Sequence, residues 1–391
     1  MNRWKYLFGL VVVAMASCAA DEGMDDSASE GLLIGNSGVE IRLSSGSNQG
    51  SRAIVDSDVN GNFELDGLSI FCLADKQLKN GQKLPIDWST PAGKYSVWIA
   101  GKEANATIDN VTDPANPITN IDWADGSVQY YPTGTAHSYS FYGYYLDQPT
   151  LAYYNDSIVA TFNLDSHKGK WDALWGVAKS DEDYAYSAKY FRDPLTVENK
   201  PSMQFEHKLM RLTFSIEAGP DAYDNYDKAV NMEVVGIRLD SIPTTGRLMV
   251  ANKAATGRQS GSITYNWNSQ NKVSWPVPEE DDSELGSGGQ TYFPGVGTPT
   301  PVGGALMVPV PADDSYQYWV RVVMYNRSLP VADQVQIVSI PLPLNLREGA
   351  HFEEGKQYNV NLMVYGPEEI QIRAKLSQWE KIDDVFENTE V

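Results

Sequence analysis

The segment 370–377, IQIRAKLS, decides the fold class, because its apolar residues fall on every second position. The even-numbered positions from Ile370 to Leu376 would share one face of a strand, and polar or charged side chains would cover the other face. An amphipathic helix would show a period of 3.6 residues instead of two. The segment therefore predicts a β-strand that buries one face.

The same alternation recurs along most of the chain, and stretches rich in Gly, Pro and Asn separate its occurrences. ANPITN (115–120) and FPGVGTPTPVGG (293–304) are two such stretches, and they predict turns and loops. Helical patterns are weak and limited to 172–179 and parts of 181–191. Many short strands without interleaved helices predict an all-β protein built of antiparallel sandwiches or barrels. The predicted strands lie at 39–43, 95–100, 128–131, 138–145, 158–162, 212–216, 230–239, 305–310, 316–325, 335–340, 357–365 and 370–376.

The length of 391 residues is too great for one ordinary β-domain and about right for two. Hydrophobic residues make up 42% of the chain and charged residues 21%, which is typical of a globular protein that fills its cores. A polar, Pro-bearing stretch, RDPLTVENKPS (192–202), indicates the boundary. We therefore expect an N-terminal β-sandwich domain at 38–195 and a C-terminal one at 196–391.

The charge and the cysteine count exclude several classes of function. The formal net charge is −21 without a basic patch, and this charge repels phosphate backbones, so the sequence argues against nucleic-acid binding. The two cysteines, Cys18 and Cys72, are too few for a disulfide framework or a cysteine-rich zinc site. Cys72 lies in the apolar run LSIFCLAD (68–75), which predicts a buried structural thiol.

The N-terminus has the pattern of an export signal. Arg3 and Lys5 precede an apolar stretch at 7–16, which is too short to span a bilayer but fits a secretory signal at 1–17. Cys18 then resembles the lipidated cysteine of a bacterial lipoprotein; an ordinary cleaved signal followed by a chance cysteine is the alternative. The acid-rich segment 18–37 predicts a solvated tether. It resembles the stretch that directs Bacteroidetes lipoproteins to the cell surface.

The segment DSDVNG (56–61) opens like a calcium-binding loop, with Asp56, Asp58 and Asn60 at ligand spacing. The twelfth position of such a loop must supply a bidentate carboxylate, and here that position is Gly67. We therefore predict no calcium site, no other metal and no cofactor. The acidic run 279–282 is flanked by Pro and Ser and predicts a solvated hairpin tip.

Catalytic motifs of the G-x-S-x-G, P-loop and H-E-x-x-H types are missing from the sequence, and its four histidines lie far apart. His207, in FEHKLM, has apolar strand neighbours and is interpreted as structural. We therefore predict that the protein is not an enzyme and assign no catalytic residue. A pair of facing carboxylates for glycoside hydrolysis stays open, because the 51 Asp and Glu residues single out no pair.

An aromatic block, YYPTGTAHSYSFYGYYL (130–146), supports two interpretations. In the first, its side chains stack on sugars. In the second, two aromatic strands joined by a Gly-containing turn form a hairpin wall of a sandwich, which we favour. The candidate residues for sugar stacking are Tyr139, Phe141, Tyr142, Tyr144 and Tyr145.

Taken in order, these segments resemble the fimbrillin family of Bacteroidetes, the FimA- and Mfa-like subunits of type V surface pili. Each segment alone is weakly specific, whereas their order and spacing together are more specific. The segments are the signal that ends at Cys18, GVEIRL (38–43), SRA (51–53), the aromatic block, WDALWGVAKS (171–180), FEHKLMRLTFSI (205–216) and EEGKQYNVNLMVYGPEEIQIRAKLSQW (353–379).

The resemblance implies two tandem, transthyretin-like β-sandwich domains and export as a lipoprotein of the outer membrane. It also implies that a trypsin-like protease cuts after an arginine and removes the first strand, within residues 38–52. A strand from another fimbrillin subunit would then fill the vacated groove. Such an exchange is physically reasonable. Removing a core strand exposes an apolar groove and two unpaired edges, and a donor strand can fill the groove and pair with both edges.

Arg52 matches the position of the cut, and Ala53 would become the first residue of the mature chain. The reason is that Arg52 follows a strand and a Ser- and Gly-rich stretch that a protease can reach. Arg42 is the competing arginine, but it lies inside the alternating segment 39–43. We expect Val39, Ile41 and Leu43 to point inward from that segment.

The donor strand is expected in the C-terminal region. Residues 370–376 alternate better but are also candidates for their own domain, so we assign the donor to 382–391, with Ile382, Val385 and Phe386 as its apolar residues. The tail beyond Trp379 carries five acidic residues and no clean alternation, unlike a shaft subunit. Shaft, tip and anchor roles therefore stay open.

The sequence thus predicts a structural subunit of a cell-surface fimbria, anchored by lipid before it assembles with copies of itself or other fimbrillins. The alternative is a surface glycan-binding lipoprotein of a polysaccharide-uptake system. The two hypotheses make different structural predictions. Exposed, coplanar aromatic rings on one face favour glycan binding, whereas inward-pointing rings favour the fimbrial subunit.

Overall fold

A computed structural model of the chain describes most of its residues. The described ranges are 36–45, 63–78, 84–91, 95–109, 111–112, 118–166, 168–193, 200–219, 232–254, 257–267, 273–277, 292–295, 297–309, 316–327, 329–342, 352–366 and 369–377.

The prediction of an all-β protein is confirmed. Within the described ranges, the helical elements are one short helix, α1 (Ala188–Arg192), and a 3₁₀ turn (Val331–Asp333). No helix in these ranges is long and apolar enough to cross a membrane. The strands are β1 (Asn36–Glu40), β2 (Leu43–Ser45), β3 (Leu65–Gln77), β4 (Val97–Asp109), β5 (Ile118–Trp123), β6 (Tyr130–Pro132), β7 (His137–Tyr145), β8 (Thr150–Tyr153), β9 (Ser157–Asn163), β10 (Leu174–Ala178), β11 (Ser202–His207), β12 (Met210–Ala218), β13 (Met232–Ile242), β14 (Thr245–Asn252), β15 (Ile263–Tyr265), β16 (Val273–Val277), β17 (Thr300–Met307), β18 (Trp319–Asn326), β19 (Val335–Pro341), β20 (Gln357–Gly366) and β21 (Glu369–Ser377).

Seven strands of the N-terminal half form one closed sheet, in the order β10-β11-β2-β5-β4-β3-β7, with β7 paired back to β10. All of its pairings are antiparallel except that of β2 with β11, which is parallel. Its interior holds a core that includes Leu68, Ile70, Phe141 and Leu174. Closure of the sheet leaves none of these seven strands with a free edge.

The C-terminal half contains two four-stranded sheets, β17-β12-β20-β21 and β16-β13-β18-β19. Leu212 and Val360 of the first sheet share one buried cluster with Ile237 and Val322 of the second sheet. Two sheets that bury side chains in a common core form a sandwich. The pairing of β12 with β20 is parallel, like that of β2 with β11, so the mainly antiparallel sheets include two parallel pairs.

The proposed boundary at 195/196 is crossed by two sets of strand pairings. Strand β11, which follows the boundary in sequence, lies in the closed sheet between β10 and β2. A further sheet, β15-β14-β9-β8, joins strands from both sides of the boundary. The division into two domains stays a prediction, and the chain changes sheets between His207 and Met210.

Several local predictions are wrong, among them the loops predicted at 115–120 and 293–304, which run into β5 and β17. Residues 172–179 were expected to be helical but contain β10, where Gly176 packs against the ring of Phe205 so closely that a Cβ atom would lie 2.5 Å from it. The aromatic block was expected to be a hairpin, yet among the described pairings β6 pairs with β1, whereas β7 pairs with β3 and β10. The weak helical signal in 181–191 is partly confirmed by α1, which Ser187 caps by accepting a bond from the amide of Tyr190.

Candidate functional site: the first strand and the sheet it closes

The candidate site is the place that β2 occupies between β5 and β11. Leu43 and Ser45 lie opposite Ile121 and Thr119 of β5 in an antiparallel register. On its other side, β2 runs parallel to β11, with Ser44 opposite Ser202. The side-chain hydroxyl of Ser45 also donates to the carbonyl oxygen of Met203 at 3.1 Å. This three-residue strand therefore closes the seven-stranded sheet.

The apolar side chains of the first strand region lie in the core of that sheet. Ile41 and Leu43 are each only 3% exposed, and Val39 is partly buried against the same cluster. The cluster also contains Met203 and Phe205 of β11. The expectation that this region points its alternating apolar residues inward therefore agrees with the structure, with Val39 less buried than the other two.

The expected continuous strand at 39–43 is instead divided into β1 and β2 by Ile41 and Arg42. The amide of Ile41 donates to the carbonyl oxygen of Gln129, and β1 pairs with β6, so the segment changes partners at this point. The Arg42 side chain is exposed and pairs with Glu40 at 3.0 Å. A cut after Arg42 would therefore separate β1 from β2 and leave the closing strand in place.

The residues predicted for processing and assembly lie outside the described residues. They are Cys18, Arg52, Ala53, Ile382, Val385 and Phe386. The structure does bear on the competing donor segment 370–376. This segment lies in β21, which pairs with β20 from Ser377 to Glu369, so it already has a place in its own sheet.

The aromatic block is part of the core. Tyr139, Phe141, Tyr142 and Tyr144 are each at most 5% exposed, and Tyr145 is half-buried. Burial raises the pKa of Tyr144 to about 12, and burial raises the pKa of Tyr139 still further, so both phenols stay neutral. Rings that lie inside a sheet cannot stack on a sugar in solvent. The burial of these rings therefore supports the interpretation of the block as part of the protein core.

The calcium-like segment continues into a strand. Asp56 to Gly61 lie outside the described residues, but Leu65, Asp66 and Gly67 form the start of β3. Gly67 has a φ of +85°, and its amide donates to the Asn105 side chain at 3.2 Å. The described residues contain no group of three or more His, Cys, Asp or Glu that could hold a metal ion. The absence of calcium binding stays a prediction.

The histidine and the cysteine that invited functional interpretations are both buried. Nδ1 of His207 lies 2.6 Å from Oδ2 of Asp172, and both side chains are almost fully enclosed. Cys72 is 0% exposed, and burial raises the pKa of its thiol, which disfavours the nucleophilic thiolate. These environments fit structural roles.

A structural feature that the sequence patterns did not predict is the buried Lys208. Its ammonium lies 2.9 Å from a carboxylate oxygen of Glu206 and 2.7 Å from one of Glu354, and only 3% of its side chain is exposed. Lys208 stands where FEHKLMRLTFSI breaks into β11 and β12. The sequence does indicate this break, because the alternating apolar residues fall on odd-numbered positions up to Phe205 and on even-numbered positions from Met210. Through these two ion pairs, the lysine stabilises the point at which the chain passes from the closed sheet to the C-terminal sandwich.

Lys208→Met is expected to lower the free energy of unfolding by about 1–2 kcal/mol, because the substitution removes both ion pairs but leaves carboxylates that are half exposed and can be rehydrated. Urea unfolding of the chain from Ala19 measures the loss. Lys76→Met is the control, since it removes an exposed pair with Asp183 whose two side chains are 49% and 66% exposed. Equal losses in the two variants would contradict the role given to Lys208.

Comparison with known families gives one match to this chain. A family model described as fimbrillin-like matches residues 88–379. No curated protein sequence matches the chain.

Solved structures from Bacteroides and Porphyromonas species match most of the chain at low sequence identity. A Bacteroides uniformis protein, provisionally described as a cell adhesion protein, is 13% identical, with a TM-score of 0.46 over 88% of this chain and 98% of its own. A fimbrial protein from Bacteroides vulgatus is 12% identical, with a TM-score of 0.44 over 87% and 99%. The fimbrilin FimA from Porphyromonas gingivalis is 9% identical, with a TM-score of 0.40 over 90% and 100%.

The family assignment rests on the sequence match to the family model, which covers about three quarters of the chain and includes most of the closed sheet and all of the described C-terminal sandwich. It agrees with the resemblance seen in the order of the sequence segments. The chain belongs to the fimbrillin-like family.

Proposed function

We propose that the protein is a structural subunit of a cell-surface fimbria, and that proteolytic removal of its first strand prepares it for strand exchange with another subunit. Family membership supports the coarser statement, a fimbrial subunit or adhesin at the cell surface. The observation that carries the finer proposal is the position of β2. A short strand near the N-terminus closes a seven-stranded sheet, so its loss would open that sheet.

The consequence of such a loss follows from the pairings. Without β2, strands β5 and β11 would become free edges, and the positions of Ile41 and Leu43 would become empty apolar sites. A strand from another subunit could pair with both edges and fill the same sites. An incoming strand would pair with both edges and remove the apolar groove from water. Its binding is therefore strongly favoured over exposure of the groove to solvent.

The position of the cut decides between two outcomes. A cut after Arg42 would leave β2 attached to the closed sheet, whereas a cut after Arg52 would release β1 and β2 together. Only the second cut opens the sheet. We therefore retain Arg52 as the proposed cleavage site, with Ala53 as the first residue of the mature chain.

The proposed donor is the tail 382–391, with Ile382, Val385 and Phe386 as the residues that enter the groove. The pairing of β21 with β20 supports this choice, since it occupies the better-alternating segment 370–376. Limited trypsin treatment of the chain from Ala19 should cut after Arg52 first and produce ladders on a native gel. Deletion of 382–391 should abolish the ladders and leave the cut monomer folded. Undiminished ladders after the deletion would rule out this donor.

Cys18 is the proposed lipid anchor of the precursor, which places the chain at the outer membrane before assembly. Metabolic labelling with a fatty-acid probe should mark the wild-type precursor. Cys18→Ala should lose at least 90% of the label, because the lipid is attached through the thiol, whereas Cys72→Ala should keep it. Undiminished label in Cys18→Ala would overturn the anchor.

Among the described residues, the aromatic block gives the glycan-binding alternative little support. Tyr145 and Trp171 do stack, with ring centroids 5.0 Å apart and an interplanar angle of 12°, and Trp171 is 36% exposed. Four of the five aromatic residues proposed for sugar contact are buried. The fimbrial role is therefore the function that the geometry supports best.

A further inference from the structure

Strand β19 forms one edge of the sheet β16-β13-β18-β19. It pairs along its whole length with β18, from Val335 opposite Tyr325 to Pro341 opposite Trp319. Among the described residues, no strand pairs with its other side. We propose that this edge pairs with the β19 edge of a second copy of the chain, in an antiparallel and two-fold symmetric arrangement.

The backbone of β19 presents a regular set of outward-facing hydrogen-bonding groups. The amide of Asn326 donates to the carbonyl oxygen of Gln334, and the amide of Leu342 donates to that of Tyr318, so the even-numbered positions bond to β18. In an antiparallel pair the backbone groups of successive residues point to opposite sides. The amides and carbonyls of Val335, Ile337 and Ser339 therefore face the free edge. Pro341, which has no amide hydrogen to present there, completes the same series.

The side chains along this edge carry no charge, and proline, another residue that blunts edge strands, occurs only at its end, at Pro341. Natural edges are commonly blunted by charged residues, especially lysine. The segment 335–341, VQIVSIP, carries no charge. The side chains of Val335 and Ile337 are 49% and 57% exposed, and Trp319 on the adjacent strand is 39% exposed. The edge is therefore an uncharged, apolar strip on a chain with a formal net charge of −21.

Charge balance around the strip favours a second copy as the partner. On the neighbouring strands, Arg321 lies 3.3 Å from Asp240, and Arg327 pairs with Glu233. These pairs neutralise charges on the strands beside the strip, and the exposed Asp333 lies just before its first residue. Because the net charge of the chain is −21, an approach through an uncharged strip limits the repulsion between two copies.

The strip is also complementary to itself. A register centred on Ile337 places the two Ile337 residues opposite each other and Val335 of each copy opposite Ser339 of the other. Every outward amide of these three residues then meets an outward carbonyl, which gives roughly six backbone hydrogen bonds. The Pro341 residues, which cannot donate, fall outside this ladder. A two-fold interface needs such a self-complementary patch.

This contact uses a sheet of the C-terminal sandwich and therefore does not depend on the proposed strand exchange at β2. Strand exchange would link subunits in series, whereas β19 pairing would link two subunits side by side. The inference concerns the uncut chain as well as the cut one. It can be tested before any protease acts.

Sedimentation equilibrium of the chain from Ala19, at concentrations up to about 100 µM, tests the pairing. We expect a reversible monomer–dimer equilibrium that Ile337→Lys weakens at least tenfold, because the two lysines would meet at the centre of the interface. Ile118→Lys is the matched control, since Ile118 is an exposed isoleucine on β5, 42% exposed, and this substitution should leave the equilibrium unchanged. Circular dichroism verifies that each variant is folded. A wild type that stays monomeric, or an Ile337→Lys variant that dimerises as well as wild type, would overturn the proposal.

Cysteine cross-linking tests the register independently. Opposed residues in a hydrogen-bonded antiparallel pair have Cα atoms about 5.5 Å apart, which lies within the range that a disulfide spans. Mild oxidation should therefore cross-link Ile337→Cys, whereas Val335→Cys and Ser339→Cys should cross-link only when they are mixed. Cys72 is buried and would stay reduced. Equal cross-linking of all three single variants, or of none, would contradict the register and the pairing.

Discussion

A chain that begins at Ala53 is expected to be less stable than a chain that begins at Ala19, by roughly 3–6 kcal/mol from the lost burial of Ile41 and Leu43. Both side chains are 3% exposed in the closed sheet. Such a loss is comparable with the total stability of a domain, about 5–15 kcal/mol. Urea unfolding followed by tryptophan fluorescence measures it. A chain that begins at Asn36 is the control, and it should be as stable as the chain from Ala19.

A peptide supplied separately should reverse this loss. The peptide 36–45, NSGVEIRLSS, carries β1 and β2, and it should raise the melting temperature of the chain from Ala53 in a saturable manner, because binding to the folded state stabilises it. The same peptide with Ile41→Asp and Leu43→Asp should have no effect, since it cannot fill the apolar sites. Equal effects of the two peptides would contradict the role of β2.

Arg52→Ala is expected to block maturation and to reduce surface polymer at least tenfold, since the protease would no longer release β1 and β2 from the closed sheet. Immunoblotting of sheared surface material measures the polymer. Arg42→Ala is the matched control, because Arg42 is also an arginine of this region but a cut after it leaves β2 in place. Normal assembly of Arg52→Ala, or equal losses in the two variants, would show that removal of the first strand at this site is not the mechanism.

Alternation predicted strands that have one solvent-facing side, whereas β7, which is buried on both faces, was predicted within the aromatic block. In β12 and β19, residues alternate between more and less buried positions, and both were recognised by their period of two. Strand β10 was not recognised, because Leu174, Trp175 and Gly176 are consecutive buried residues and show no alternation. Burial on both faces removes the periodic signal on which the prediction depends.

The candidate site was predicted in part. The inward direction of Ile41 and Leu43 follows from local alternation, and the structure agrees. The role of β2 in closing the sheet does not follow, because its bond from Ser45 to Met203 joins residues 158 positions apart. The hairpin prediction at Tyr131 and Tyr139 failed for the same reason, since distant strands compete with the nearest one as partners.

The mature N-terminus of the surface protein tests the central claim most directly. Intact-mass and N-terminal peptide mass spectrometry of subunits sheared from cells would determine it. We predict a chain that begins at Ala53 and no longer carries residues 36–45. An assembled subunit whose chain still includes Asn36 to Ser45 would contradict the claim, because β2 would then still close its own sheet.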